Sequence, residues 1–139
     1  MVDRVKDLWF EDGSVVIQTQ ERAFRVHRGV LALHVRVFDD IFAFPSPESQ
    51  PIYEGVPLAE FPDDGQDMEH FLRAIYFPQY FPPPPASTSF DVLEGILRLA
   101  HKYDAPELRR RAFDHFSSHI VLKERHLSAD HKRTYPIED

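Results

Sequence analysis

Residues 24–33 (FRVHRGVLAL) and residues 37–42 (VFDDIF) decide the fold of this chain. In the first stretch, Phe24 and Val26 alternate with polar residues, which is the two-residue period of a half-buried strand. From position 28 onward the apolar residues follow the 3.6-residue period of a helix covered on one side. The sequence therefore predicts a strand that turns directly into a helical segment over residues 28–44.

Two neighbouring apolar rows run along this helical segment. The first row contains Val30, His34, Val37 and Ile41, and the second contains Leu31, Val35, Phe38 and Phe42. Together they predict a wide covered stripe, in which His34 is a partly buried core histidine rather than a ligand. Because Gly29 and the Leu33–His34 pair are both suitable breaks, one helix and two short helices remain alternatives.

A small sheet is predicted on both sides of this segment. Residues 15–19 alternate like a strand and pair with residues 23–26 in a predicted hairpin. A further short strand lies near residues 56–58 and contains Pro57, which indicates a sheet edge or a bulge. The sequence thus predicts a three-stranded sheet.

Three helical patterns follow the last strand. The first begins at an Asp67 N-cap, the second at a Thr88 capping box and the third at an Asp104 N-cap. The apolar positions of the third helix are Leu108, Ala112, Phe113, Phe116 and Ile120. This order of elements predicts an α+β domain in residues 1–120, with the sheet capped by about five helices. Residues 121–139 are predicted to form a tail that is partly disordered or a frayed helix.

The composition excludes several classes of function. A net charge of −7 argues against nucleic acid as a partner, because phosphate binding needs clustered basic residues. The absence of cysteine excludes disulfides and thiolate zinc sites. No apolar run approaches the ~20 residues of a membrane span, and the first residues lack the apolar segment of a secretory signal. We expect a soluble protein of the cytoplasm or nucleus that does not bind membranes.

No group of residues indicates catalysis. His115 and His119 are spaced i, i+4, but no third ligand follows in a metal-binding pattern, so both are interpreted as polar residues of an outer helix face. Asp39 and Asp40 point about 100° apart on a helix, and residues 63–65 (DDG) are typical of a turn. We expect no enzymatic activity, no cofactor and no metal.

Residues 81–85 (FPPPP) predict an extended polyproline II segment. Such a segment can dock into the aromatic groove of an SH3- or WW-type partner with little loss of entropy. It can also act as a rigid spacer between two helices, which is the interpretation we favour. The flanking aromatic residues Phe77 and Tyr80 suggest partial docking onto the domain itself.

Several stretches, in the same order, resemble the BTB/POZ domain, in particular the short fungal members of that superfamily. They are residues 15–17, Phe24-x-Val26-His27-Arg28-x-Val30-Leu31, Phe38-x-x-Ile41-Phe42, residues 71–76 (FLRAIY), and residues 97–108 with their Lys102-Tyr103 pair. The resemblance covers about residues 8–120. The residues to which it assigns a structural role are Phe24, His27, Arg28, Leu31, Phe38 and Tyr103.

Departures from the family pattern bear on function. Ser14 stands where the transcription-factor branch often has an aspartate, which forms a charged pocket with a basic residue that Arg28 matches. Val35 stands where a serine commonly caps a helix. Only seven residues precede Leu8, and residues 77–81 (FPQYF) lack the Φ-x-Glu element of many cullin adaptors. Dimerisation by strand exchange and cullin binding are both less expected for this reason.

The resemblance implies a non-enzymatic protein–protein interaction module that forms homodimers or hetero-oligomers, with a role in transcriptional regulation. One alternative is a substrate adaptor for a cullin-type ubiquitin ligase, and another, of a different class, is a metal-dependent enzyme. Aromatic residues at the ends of elements can remain exposed and form interfaces. The predicted contact residues of this kind are Trp9, Phe10, Phe42, Phe44, Tyr80 and Phe81.

Overall fold

The structure, a computed structural model, describes residues 2–43 and 51–125. Its strands are β1 (Asp3–Trp9), β2 (Val15–Gln18), β3 (Arg22–Val26), β4 (Ile52–Tyr53) and β5 (Val56–Glu60). Its helices are α1 (Arg28–His34), α2 (Arg36–Ala43), α3 (Gly65–Tyr76), α4 (Phe90–Tyr103) and α5 (Pro106–Arg125). This arrangement confirms the α+β class predicted from the sequence.

The sheet has five strands in the order β1-β3-β2-β5-β4, so the prediction of three strands was wrong. β1 runs parallel to β3, with Asp3 beside Arg22 and Trp9 beside Arg25. Charged residues interrupt the apolar pattern of β1, and β4 has only two residues. Neither strand therefore carries the alternating apolar signal that reveals a half-buried strand.

The hairpin predicted for residues 15–26 is present as β2 and β3, which pair antiparallel. Val15 lies opposite Val26, and Gln18 lies opposite Ala23. One face of the hairpin joins the main core through Val15, Ile17, Phe24 and Val26. The opposite face is also covered, because Val16 and Ala23 are buried. The sheet is thus buried on both sides at its centre.

Of the two positions predicted for Pro57, a sheet edge or a bulge, the sheet edge is wrong, because β5 is flanked by β2 and β4. The N–H of Leu58 donates to the carbonyl of Pro51, which makes Ile52 and Pro57 a non-hydrogen-bonded pair of the antiparallel ladder. Pairing with β2 begins only at Leu58. The missing N–H of the proline therefore removes no bond between β4 and β5.

The helical segment after β3 is two helices that meet at Val35. Val35 is extended (φ −129°, ψ 110°), and its N–H donates to the carbonyl of Leu31. Leu31, Val35 and Phe38 are fully buried and pack into the core. His34 is exposed, so its prediction as a core histidine was wrong. The second row thus faces the core. In the first row Val37 also packs against the core, Val30 is half-buried, and His34 and Ile41 are exposed.

Two helix starts differ from the predicted ones by one to three residues. α3 is capped by Asp64, whose carboxylate accepts from the N–H groups of Gln66 and Asp67 at 3.1 Å. α4 is capped by Ser89, whose hydroxyl accepts from the N–H of Val92 at 3.1 Å. Neighbouring Asp and Ser residues offer equivalent caps, so local chemistry alone does not choose between them.

α4 and α5 pack against each other as a helical hairpin. Asp104 is the C-cap of α4, in the left-handed conformation (φ 62°), and not the N-cap of α5. Its carboxylate instead pairs with Arg109 at 3.2 Å and with Arg36 of α2 at 3.6 Å. Pro106 is the first residue of α5, where its missing N–H costs nothing.

α5 is rotated relative to the prediction. Leu108, Ala112 and His115 form its buried face, whereas Phe113 and Phe116 are 51% and 41% exposed. The side chain of Ile120 lies outside the described residues. The helix continues past the predicted domain boundary to Arg125. The rest of the predicted tail, residues 126–139, lies outside the described residues.

Candidate functional site

An apolar row faces outward on α1 and α2. It consists of Val30, Leu33, Val37 and Ile41, and we call it the outer row. Leu33 is 82% exposed and Ile41 is 37% exposed, while Val30 and Val37 are half-buried. Two exposed aliphatic side chains on one face of these helices make this face a candidate contact surface.

The outer row begins at the junction of β3 and α1, where Ser14 supplies a cap from a distant part of the chain. His27, the N-cap residue of α1, makes no capping bond with its side chain. Instead the hydroxyl of Ser14 accepts from the N–H of Arg28 at 2.9 Å. The residue that departs from the family pattern thus stabilises the start of α1. Arg28 itself is exposed beside a cavity of about 160 Å³ that Ser14 and Phe42 also line.

His27 is held by a hydrogen-bonded cluster. Its backbone N–H donates to the hydroxyl of Tyr76 at 2.8 Å, and that hydroxyl lies 2.8 Å from Nδ1 of the same residue. A hydroxyl that accepts the first bond can donate the second, which leaves Nε2–H to donate to Asp12 at 2.9 Å. The bond from His27 lowers the pKa of Asp12, and burial raises the pKa of Tyr76. His27 is thus held at the junction of β3 and α1 by its backbone N–H and by both ring nitrogens.

Phe10, a predicted contact residue, belongs to the same cluster. Its ring stacks on Tyr76 with the centroids 4.9 Å apart and lies 5.1 Å from the ring of His27. The side chain is half-buried, so only part of the ring is available to another molecule.

Trp9, another predicted contact residue, takes part in what we call the edge clasp, formed by Arg4, Trp9 and Tyr53. The guanidinium of Arg4 lies 4.3 Å from the centroid of Trp9 and donates to the hydroxyl of Tyr53 at 2.8 Å. The two rings meet edge to face at 5.6 Å. Because Trp9 is on β1 and Tyr53 on β4, the clasp joins the two edge strands of the sheet.

The two remaining contact residues near α2 have different outcomes. Phe42 is half-buried, with its ring 5.8 Å from that of Phe38, and it follows Ile41 of the outer row. Phe38 is fully buried among aromatic rings. Phe44 lies outside the described residues.

The segment between α3 and α4 is held against the domain on two sides. Phe81 is fully buried, so its prediction as a contact residue was wrong. Its carbonyl accepts from Arg111 at 2.9 Å, and the carbonyl of Pro82 accepts from Nε2 of His115 at 2.7 Å. Tyr80 is half-buried and bonds through its hydroxyl to Nδ1 of His70 at 2.7 Å. Most of the polar and aromatic groups that flank the prolines are thus used inside the domain.

The prolines do not form the continuous polyproline II segment that was predicted. The N–H of Ala86 donates to the carbonyl of Pro83 at 3.2 Å, which closes a turn within the run. A polyproline II ligand needs an extended, solvated backbone over several residues. This geometry supports the interpretation of residues 81–85 as a spacer.

Lys102 and Tyr103 converge on one buried carboxylate. The side chain of Asp63 is 6% exposed and accepts from Nζ of Lys102 at 2.7 Å and from the hydroxyl of Tyr103. Burial, together with Asp63, raises the pKa of Tyr103 strongly. The Asp-Asp-Gly stretch that contains Asp63 is typical of a turn, and sequence reasoning for that reason missed this contact.

A second apolar surface, which the sequence did not predict, lies between α4 and α5. We call it the α4–α5 groove. It has a volume of about 420 Å³ and is lined by Glu94, Leu97, Arg98, His101 and Phe113. Leu97 and Phe113 form its apolar floor, and polar side chains of α4 form its rim. The rotation of α5 that exposes Phe113 is what creates it.

The described residues offer no arrangement for a metal. Within residues 2–43 and 51–125, no three His, Cys, Asp or Glu side chains converge on a metal position. His115 is buried and bonded to Pro82, so its placement on an outer face was wrong, and the side chain of His119 lies outside the described residues. In the same part of the chain, no helix has the length and apolar character needed to cross a bilayer.

Comparison with known proteins identifies one family. The model of the BTB/POZ domain matches residues 10–120. No curated protein matches the chain.

Proposed function

Because the chain belongs to the BTB/POZ family, whose domains are protein–protein interaction modules, we propose that it associates with a second copy of itself through the outer row of α1 and α2. The module acts by binding and not by catalysis. The observation that carries the proposal is the 82% exposure of Leu33 beside three further apolar residues.

Burial of the outer row supplies the driving force for association. Covering one exposed Leu, Val or Ile side chain contributes about 1.5–3 kcal/mol, before the cost of association. The net charge of −7 on each copy opposes self-association, and salt screens that repulsion. Arg36 and Asp40 are both exposed on α2, so a two-fold contact can bring opposite charges together around the row.

The predicted aromatic contacts contribute unequally to this proposal. Phe42 follows Ile41 along α2, but its half-buried ring packs against the core beside Phe38, so it contributes at most the margin of a contact. Trp9, Phe10 and Tyr80 are half-buried and engaged by their own chain, so they serve at most as the margins of a contact.

We propose that the protein acts in the cytoplasm or nucleus, with transcriptional regulation as one role that such a module serves.

The cullin-adaptor alternative has less support. Tyr80 and Phe81, in the segment after α3, bond to or pack against α3 and α5. Direct binding of the chain to a cullin N-terminal domain distinguishes the adaptor role from self-association.

The proposal is tested by replacing Leu33, which is so exposed that the substitution costs the fold little. Light scattering of the chain across concentration should give about twice the monomer mass of 16.2 kDa, and Leu33→Glu should give the monomer mass. Gln66→Glu, at an exposed helical position of α3, is the matched control and should leave the dimer intact. A monomeric parent, or a dimeric Leu33→Glu variant, would contradict the proposal.

A further inference from the structure

The turn that follows α3, residues 77–80, closes over one histidine side chain, and we call it the Tyr80 turn. The N–H of Tyr80 donates to the carbonyl of Phe77 at 2.9 Å, and the hydroxyl of Tyr80 lies 2.7 Å from Nδ1 of His70. The rings of His70 and Tyr80 stack with their centroids 6.2 Å apart. We propose that this contact is acid-sensitive: uptake of a proton by His70 opens the Tyr80 turn and exposes the ring of Tyr80.

The closed turn accommodates the neutral ring of His70 but not the charged one. Nε2 is buried and has no hydrogen-bond partner among the residues that the structure describes. A neutral imidazole has one N–H, so Nδ1–H can donate to the hydroxyl of Tyr80 while Nε2 carries only a lone pair. The imidazolium has a second N–H, which here would be a buried donor without an acceptor. Such a donor is costly, so the proton and the closed turn oppose each other.

The charged groups around His70 come from three elements. Burial in the closed turn lowers the pKa of His70, and Arg22 of β3 acts in the same direction. Asp67 and Glu69 of α3 and Asp91 of α4 act against this shift. Opening admits water to the ring and leaves these carboxylates on their helices, so the open state binds a proton more tightly. By linkage, a lower pH then favours the open turn.

Two of these carboxylates are already held by arginine side chains. Asp67 pairs with Arg98, and Glu69 pairs with Arg22 at 2.7 Å and with Arg73 at 2.8 Å. Neither carboxylate can turn toward a protonated ring without giving up its own ion pair. The charged ring is therefore stabilised by reaching water rather than by a new bond inside the closed turn.

The rest of the segment keeps the opening local. Phe81 is fully buried, and the carbonyls of Phe81 and Pro82 both accept from side chains of α5. Pro78 and Gln79, by contrast, are exposed. The Tyr80 turn can thus open while Phe81 remains in the core. Tyr80, one of the predicted contact residues, becomes available to another molecule as the pH falls, whether or not the outer row binds a second copy.

The experiment follows the tyrosine and histidine rings of the full chain by NMR between pH 7.5 and pH 5. The parent should lose the NOE between the rings of His70 and Tyr80, with a midpoint that coincides with the titration of His70. His70→Asn should show no pH-dependent change at Tyr80, because asparagine does not titrate. His101→Asn, which removes an exposed histidine of α4, is the matched control and should behave like the parent.

A second variant measures the same coupling from the opposite side. Tyr80→Ala removes the ring that covers His70, so the pKa of His70 should rise relative to the parent. Gln79→Ala, at an exposed position of the same turn, should leave the pKa of His70 unchanged. This measurement keeps the proposal testable even if His70→Asn disturbs the packing of α3.

The outcomes separate local opening from other events. Titration of His70 with the NOE intact would overturn the proposal, because the closed turn would then accept the charged ring. Equal loss of the Tyr80 contacts in His70→Asn would assign the opening to another group. A simultaneous shift of the Tyr103 ring, whose hydroxyl bonds to Asp63, would mean that the whole domain unfolds. An unchanged pKa of His70 in Tyr80→Ala would equally contradict the coupling.

Discussion

Asp63 shows how one buried carboxylate can connect two parts of the chain. It precedes α3, yet its bonds go to Lys102 and Tyr103 at the end of α4. A buried charge is costly unless it is paired and hydrogen-bonded, and here both conditions are met. The Lys-Tyr pair of the family pattern thus has a physical explanation in this chain.

We expect Asp63→Asn to destabilise the protein by about 1–3 kcal/mol, because the ion pair is lost and the bond from Tyr103 no longer involves a charge. Urea unfolding followed by circular dichroism measures the change. Asp64→Asn is the matched control, since asparagine caps a helix as well as aspartate does. Equal losses for the two variants would contradict the role assigned to Asp63.

His70 gives a prediction about pH. Burial lowers its pKa below the ordinary value of 6.5, although Asp67, Glu69 and Asp91 oppose the shift. Nε2 is buried and has no hydrogen-bond partner among the described residues. The folded state therefore favours the neutral ring, and this contribution to stability is fully present above the unfolded pKa.

The contribution is lost as the pH falls from about 6.5 toward the folded pKa. Unfolding free energies measured between pH 7.5 and pH 5 should decrease more for the parent than for His70→Asn. Asparagine keeps a polar atom near Tyr80 but does not titrate. Identical pH dependence in the two proteins would contradict the role assigned to His70.

At the scale of elements, the central hairpin, the helical segment after it and the helices α3, α4 and α5 were predictable from apolar periodicity, but the division of that segment into α1 and α2 was left open. β1 and β4 were not, because pairing with neighbouring strands stabilises them and their own patterns are weak.

The face of α5 was also mispredicted. Residues 108, 112 and 115 share one helix face as well as residues 113 and 116 do. From the sequence alone, a histidine at position 115 is expected to face solvent, and only the bond from its Nε2 to the carbonyl of Pro82 explains why it is buried.

The rotation of α5 is tested by comparing two neighbouring residues. His115→Leu should cost about 1–3 kcal/mol, because the carbonyl of Pro82 is left without its donor. Phe116→Leu should change the free energy of unfolding by less than about 0.5 kcal/mol, as is usual for exposed positions. Thermal or urea unfolding of both variants measures the difference, and the reverse order of effects would refute the observed rotation.

The exposed apolar surfaces were the least predictable feature. Sequence reasoning selected aromatic residues at element ends, but Phe81 fills the core and Trp9 and Phe10 pack within the domain. The exposed apolar side chains, among them Leu33 and Phe113, lie within helices. A single sequence does not distinguish an apolar residue that faces the core from one that faces a partner, since both extend the same stripe.

At the scale of the whole molecule, the edge clasp connects strands that share no ladder. β1 and β4 are the outermost strands of the sheet, and side chains alone join them. Unpaired edges invite pairing with other chains, and covering them is a common protection. In this sheet the rings of Trp9 and Tyr53 and the guanidinium of Arg4 lie at the two edge strands.

Loss of the clasp should loosen β1. We expect Tyr53→Ala to raise amide hydrogen exchange in β1 about tenfold, because edge strands open locally when few contacts hold them. The emission of Trp9, the only tryptophan of the chain, should shift at the same time. Ile52→Ala, at the adjacent and 66% exposed position, is the control. Unchanged exchange in Tyr53→Ala would mean that β1 is held by its ladder alone.

The anchoring of the proline segment has a consequence for protein synthesis. Its carbonyl groups at Phe81 and Pro82 are bonded by Arg111 and His115, which the ribosome adds about thirty residues later. While translation proceeds, the nascent strands, α1 to α3 and the prolines emerge before the groups that fasten the loop. A pause in translation before α5 would therefore leave the proline segment between α3 and α4 without these two hydrogen bonds and accessible to chaperones.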